Sequence, residues 1–176
     1  MTPEPRVQIV PLSIPTLHAL AAGNLAAAAE TSAWPLPEVF VAEGWISTWR
    51  YRSEQVRQDP AVVDWITGAV VDLDTGQVVG KAGYHGPPDP AGMVEVGYAV
   101  VLELRRRGYA RAALRRLLDR AAGEPAVTVV RASVSPGNVG SLALIAQHGF
   151  VQVGEQWDTE DGLELVFERP ADRGQL

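Results

Sequence analysis

The residues best suited to chemistry open a helix: Arg105-Arg106-Arg107-Gly108-Tyr109-Ala110 follows directly on a strand-like run. A chain that turns into a helix there leaves several main-chain N–H groups unpaired and pointing outward. The helix end adds partial positive charge, so a diphosphate fits without dedicated side chains. Gly108 lets an anion approach the main chain, Ala110 is too small to block it, and Arg105, Arg106, Arg107 and Arg111 add long-range attraction. A plainer reading stays open. Arg107, Arg111 and Arg115 recur at four-residue spacing and would equally form a solvated stripe on an amphipathic helix.

A second candidate is Glu95, inside Met93-Val94-Glu95-Val96-Gly97-Tyr98-Ala99-Val100. Strand alternation sends Val94, Val96, Tyr98 and Val100 to one face, the core face. It leaves Met93, Glu95, Gly97 and Ala99 on the other, small and open beside a lone carboxylate. That carboxylate could take a proton from a substrate, or be an ordinary exposed strand residue. His148 lies about 10 Å along a helix from Ser141, too far for a Ser–His dyad. His18 and His85 stand alone, and no His/Asp/Glu cluster has metal-ligand spacing, so no metal is expected.

These groups must be positioned by regular elements. Arg6 to Val10 read as a strand, Thr16 to Ala29 as an Ala/Leu-rich helix, and Val39 to Val56 as a second helix closed by Asp59-Pro60. Ile66 to Leu73 and Gln77 to Gly83 form a hairpin about Asp74-Thr75-Gly76. After the irregular Gly86-Pro87-Pro88-Asp89-Pro90 come the Met93 to Val100 strand, an Arg107 to Ala122 helix, a Val127 to Val134 strand and an Asn138 to His148 helix. Two closing strands follow, Val151 to Trp157 and Leu163 to Glu168. The helix after the fourth strand forces a crossover, while the short early loops favour antiparallel pairs. The expectation is an α+β domain in α/β/α layers, with a mixed, mostly antiparallel sheet of six to seven strands.

Composition narrows the function. The 176 residues suit one domain (1–176), and a chain of this size needs no metal or disulfide to hold it. There is no cysteine, which removes thiolate metal sites and any cysteine-bound acyl intermediate. A net charge of −6 argues against nucleic acid as a partner and tilts weakly toward amines. No apolar run reaches bilayer length and no signal-peptide pattern opens the chain, so a cytoplasmic protein that does not engage membranes is the default. A homodimer is the commonest soluble assembly.

Position matters more than composition. The Arg105–Ala110 segment after the Glu95–Val100 strand resembles the R/Q-x-x-G-x-G/A signature by which Gcn5-related N-acetyltransferases bind coenzyme A. Gly83-Tyr84 to Pro88-Asp89, Val94-Glu95-Val96-Gly97-Tyr98, Ser135-Pro136-Gly137-Asn138-Val139-Gly140-Ser141 and Gly149-Phe150 resemble the branch that acetylates ribosomal-protein N-termini (RimJ/RimL-like). The resemblance implies the acyl-CoA N-acyltransferase fold, acetyl-CoA as cosubstrate and an amine acceptor. It also implies a cofactor-binding core over 77–168 and an acceptor side over 1–75. Glu95 becomes the general base, often acting through a water, and a backbone N–H near Val100 or Val101 the group that polarises the carbonyl. Many members protonate the sulfur with a tyrosine where this chain has Ile145. Ser141 is the replacement the branch suggests, with a simple first-turn backbone bond as the alternative. Asn138 is expected to cap its helix and to bond the pantetheine arm.

Trp34, Trp45, Trp49 and Tyr51 fall where members build the acceptor site, although aromatics at helical spacing usually form core. The reaction implied is direct transfer in a ternary complex. A non-catalytic acyl-CoA sensor is the rival, kept open by the missing tyrosine.

Overall fold

The alternation from Arg6 onward makes a strand, β1 (Val7–Val10), in the computed structural model, which describes residues 3–172. The helix expected over Thr16 to Ala29 is two: α1 (Ile14–Ala21), capped by Ser13, and α2 (Leu25–Thr31), capped by Asn24. Gly23 between them has φ 71°, and a left-handed residue there ends one helix and redirects the chain into the next. The second long helix is shorter too. Glu38–Val41 form a 3-10 turn, Gly44 sits at φ 81°, and α3 runs Ile46–Gln58. Asp59-Pro60 ends it as expected, with Asp59 capping a further 3-10 turn at Pro60–Asp64.

Six further strands and two helices follow in the anticipated order. They are β2 (Gly68–Asp72), β3 (Val78–Tyr84), β4 (Met93–Val100), α4 (Tyr109–Gly123), β5 (Val129–Val134), α5 (Val139–Ala146), β6 (Val151–Asp158) and β7 (Gly162–Pro170). They form a seven-stranded sheet in the order β1-β2-β3-β4-β5-β7-β6. Every neighbouring pair is antiparallel except β4 and β5, which the α4 crossover makes parallel. This is the mixed α+β sheet that the element order implied.

Two apolar clusters flank the sheet. One joins β3, β4 and β5 to α4 through Leu114, Leu117 and Ala121, and to α5 through Ile145. The other packs Leu17, Leu20, Phe40 and Trp49 from the helical N-terminal region onto Ala69, Val71 and Val78. The sheet is therefore clamped from both sides. It is open at one place only among its described pairs, where β4 and β5 part.

Candidate active site

The register of β4 against β5 is Met93↔Val129, Val94↔Val130 and Glu95↔Arg131, and it stops there. Beyond Glu95 the two strands diverge, and residues 96–99 and 132–135 line the resulting cleft. The cleft widens into a cavity of about 640 Å³ between α3, the β6–β7 hairpin and the first turn of α5. β4 stays paired with β3 throughout, so the cleft has one rigid wall.

At the end of β4 the chain makes a 3-10 turn, Leu102–Leu104, and enters α4 through Arg106 at φ 63° and Gly108 at φ 89°. Left-handed residues in alternation turn successive amides to one side, the geometry of an anion nest. Among the described residues, no acceptor takes the N–H groups of Arg106 through Arg111. Arg106 carries a side chain at a φ that disfavours one, a strain that clusters at functional sites. A Cβ on Gly108 would also meet Pro5 Cδ at 3.1 Å, so glycine is required twice over.

The arginines divide. Arg105 Nε donates to Val100 O at 3.1 Å and braces the turn, Arg107 donates to Glu103 O, and Arg111 to Gln147 Oε1. Arg115 pairs with Glu4. The stripe is thus tied down at each step while its guanidiniums remain at the surface beside the nest. Tyr109, the first residue of α4, donates its hydroxyl to Asp72 Oδ2 at 2.5 Å and ties the helix start to β2. That bond holds the Asp72 carboxyl below its usual pKa and lifts the Tyr109 phenol to about 12.

On the cleft wall, Val101 N–H donates to Val79 O at 2.9 Å. That satisfies it within the sheet and corrects the expectation that Val101 offers a free amide. Successive residues of an antiparallel strand turn their amides to opposite sides, so Val100 and Tyr98 direct theirs toward β5 and into the cleft. The Tyr98 hydroxyl is buried without a hydrogen-bond partner. Its pKa is raised because burial disfavours the phenolate, and Ser141 is the side chain that offsets this. Ser141 and Asn138 both line the cavity, and Asn138 Oδ1 accepts from Ser141 N at 3.1 Å as the α5 cap. Ile145, at the place of the missing tyrosine, is core at 0% exposure.

Glu95 is no exposed strand residue: its side chain is 17% exposed. Ser133 Oγ donates to its Oε1 at 2.6 Å, and His85 Nδ1 stands 3.7 Å from its Oε2. His85 is the residue sequence reasoning missed. It was taken to stand alone, yet His85 N donates to Glu95 O at 2.8 Å, so the pair face each other where β3 ends and β4 begins. The ring lies over Gly97, where any Cβ would come within 3.1 Å of Nε2. Desolvation in the cavity lowers its pKa below the ordinary imidazole value and outweighs the opposing pull of Glu95. The one advance signal was its place just after a strand pairing with the Glu95 strand. His18 is not alone either, since its Nδ1 bonds Ser53 Oγ in the helical layer at 2.6 Å.

The tryptophans expected at the acceptor site fall mainly elsewhere. Trp49 has 0% exposure and packs on Phe40 at 5.0 Å, and Trp45 stacks on the same ring at 5.6 Å. Trp34 leans on the helical core near Gly76. None of the three lines the cavity; Trp49 sits on the inner face of α3, and Trp34 and Trp45, from the loops before it, pack against the same N-terminal core. Tyr51, Arg52, Thr48 and Lys81 line it instead. Burial lowers the Lys81 pKa to about 8 and the Arg52 pKa to about 10.

A strand that parts from its parallel neighbour, followed by an unbonded amide nest at a helix start, defines an acyl-CoA N-acyltransferase fold. The model of the acetyltransferase (GNAT) domain matches residues 6–151, and the chain belongs to that family. Over 87 residues it is 33% identical to the uncharacterized N-acetyltransferase YjdG of Bacillus subtilis (strain 168). That match spans 49% of this chain and 50% of the relative, so the chain matches about half of that protein's length. Among solved structures, the ribosomal-protein-S5-alanine acetyltransferase of Vibrio fischeri superposes with TM-score 0.64 at 17% identity, covering 99% of this chain and 98% of that one. RimJ of Mycobacterium smegmatis, in complex with CoA-disulfide, gives 0.62 at 22% identity, covering 94% and 82%. A chimera of the spermidine N-acetyltransferase SpeG from Vibrio cholerae gives 0.65 at 14%, covering 94% and 96%. At these identities the structures speak for the fold alone. No helix among the described residues is long and apolar enough to cross a membrane.

Proposed function

We propose that this chain is an acetyl-CoA-dependent N-acetyltransferase that acylates a primary amine directly, within a ternary complex. The observation carrying this is the run of unbonded N–H groups from Arg106 to Arg111, at the mouth of a cleft whose inner end holds the Glu95–His85 pair. Family membership and the likeness to RimJ-type structures support the same reading. The nest and helix dipole suit a diphosphate, and the diverging β4 edge and Asn138 suit an amide-containing arm. Bound acetyl-CoA would supply an activated acyl group and a thiolate leaving group.

The residues of the chain do the rest. With Glu95 facing His85 Nδ1, that nitrogen carries the proton and Nε2 is left as the acceptor. His85 takes a proton from the incoming ammonium, and Glu95, held by Ser133, orients the ring and steadies its charged form. The base role expected of Glu95 is thus exercised through a histidine rather than a water. The Tyr98 and Val100 amides face the cleft, where they can hydrogen-bond a carbonyl oxygen as negative charge gathers on it. Ser141, with the unpartnered Tyr98 hydroxyl behind it, is placed to return a proton to the leaving sulfur.

Two assays test the reading. Calorimetry with coenzyme A should give saturable binding that Gly108→Val weakens. Thiol release from acetyl-CoA should depend on an added amine and on both His85 and Glu95. Binding without turnover across amino acids, peptides and polyamines would leave an acyl-CoA sensor instead.

A further inference from the structure

Two cations lie in the acceptor cavity with no anion beside them. Lys81 on β3 is 9% exposed and Arg52 on α3 is 5% exposed, and both line the cavity. Neither has a carboxylate within ion-pair distance. Lys81 Nζ donates to Thr48 Oγ1 at 2.6 Å and sits over the Trp45 ring at 4.8 Å and the Trp49 ring at 5.7 Å. Arg52 Nε donates to Thr67 Oγ1, and its Nη1 to Gln55 Oε1 and His85 O. The remaining Lys81 donors and Arg52 Nη2 have no acceptor among the described residues. Asp161 and Glu95 act on these cations only through space.

A buried charge is costly unless it is paired. Ring faces and hydroxyls hold an ammonium in place but supply no counter-charge. Two such cations near one another also repel, so the α3–β3 wall of the cavity carries positive charge that no adjoining carboxylate neutralises by contact. The opposite wall has the other sign. Asp158, Glu160, Asp161 and Glu164 belong to the β6–β7 hairpin and line the cavity facing α3. Asp158 is occupied in turning that hairpin, its Oδ1 accepting from the Glu160 and Asp161 amides.

The distances run along β4. Lys81 is directly opposite Ala99 and His85 faces Glu95, with Gly97 between them under the His85 ring. Ala99 and Gly97 are about 7 Å apart along a strand. Lys81 therefore lies a short spacer along the cleft from the His85 ring, while Arg52 adjoins His85 itself through its bond to His85 O, and the hairpin carboxylates act on both Lys81 and His85 through space.

We propose that the acceptor is a primary amine carrying its own anionic group, a carboxylate or phosphate, which Lys81 and Arg52 bind while the amine faces His85. The inference rests on the transferase reading above and narrows its acceptor from amines in general to zwitterionic ones.

The test compares matched acceptors at fixed acetyl-CoA with the wild-type chain: glycine, glutamate and phosphoethanolamine against glycinamide, ethanolamine and spermidine. The anion-bearing acceptors should exceed glycinamide, ethanolamine and spermidine in kcat/KM on the order of tenfold or more. The carboxylate and phosphate arms identify which anion is preferred. Lys81→Met should abolish that preference by raising the KM of the carboxylate- and phosphate-bearing acceptors toward that of glycinamide and ethanolamine. Equal use of both sets, a preference for spermidine, or a Lys81→Met loss shared by all acceptors would overturn the inference and leave the transferase standing. Coenzyme A binding with no turnover of any acceptor would instead overturn the transferase reading, and this inference with it.

Discussion

The two halves of the site are built differently. The proposed cofactor half is a local object: a strand, a 3-10 turn and a helix start, contiguous from Met93 to Ala112, whose unbonded polar groups are on the main chain. The acceptor half is assembled from α3, β3, the β3–β4 loop and the β6–β7 hairpin, and its working groups are side chains. Backbone amides need only the right dihedral angles, which a short sequence specifies. Side chains from distant segments need the whole sheet to bring them together. The comparison teaches that a main-chain site can be specified within one short segment, whereas a side-chain site depends on how distant segments pack.

Four changes would break or sharpen that contrast. The largest effect is expected at His85. His85→Ala and Glu95→Gln should each lower kcat by roughly a hundredfold or more, with the dissociation constant for coenzyme A unchanged in calorimetry. If cofactor affinity fell in step with kcat, the halves would not be separable.

Next is the nest. Gly108→Val places a β-branched residue at φ 89° and against Pro5, so coenzyme A binding should weaken on the order of tenfold. Acceptor specificity, measured as the ratio of kcat/KM between two amines, should not move. A changed ratio would mean that the cradle reaches into acceptor choice.

The third is the pH profile of kcat/KM, which reports groups of the free enzyme. The acid limb should fall below the ordinary histidine value, because His85 must be neutral to accept a proton and burial lowers its pKa. With a carboxylated acceptor, an alkaline limb should appear near pH 8 as Lys81 loses its charge. Burial and Arg52 push that value down, and Asp161 opposes them. Lys81→Arg should carry the alkaline limb upward and leave the acid limb alone. An unmoved alkaline limb would assign it to another group.

The smallest effect concerns Tyr109, which anchors the nest to β2. Tyr109→Phe removes one hydrogen bond worth about 1 kcal/mol, and Tm should drop by about 2–4 °C. The sign with pH follows from both partners. The Asp72 pKa is depressed in the fold, so its contribution is present above about pH 4 and fades as pH falls through the lowered value. The Tyr109 pKa is raised, so its share is complete below about pH 10 and disappears as pH rises through about 12. Wild type and Tyr109→Phe should therefore converge in acid. A constant difference down to pH 2 would mean that the bond does not carry the effect.

Legibility in the sequence followed the same division. Arg105–Ala110 and Glu95 were readable because strand alternation and a glycine before a helix are short-range patterns. Glu95 was placed on the right face, yet its partner His85 was passed over, because the proline-rich loop between them hides the cross-strand contact. Trp34, Trp45 and Trp49 drew attention by size, but large apolar rings are more often core, and these three pack into the N-terminal layer. The quiet residues Lys81 and Arg52 carried no motif at all. Gly23 and Gly44, small breaks in otherwise helix-compatible runs, split two elements that composition alone had merged.

The sequence by itself determined the order of the elements and the parallel crossover through α4, since each depends on neighbours within a few residues. Only the tertiary structure decided which side chains share the cavity. Burial, pairing and the separation of β4 from β5 are properties of contacts between segments far apart in the chain, and no local pattern encodes them.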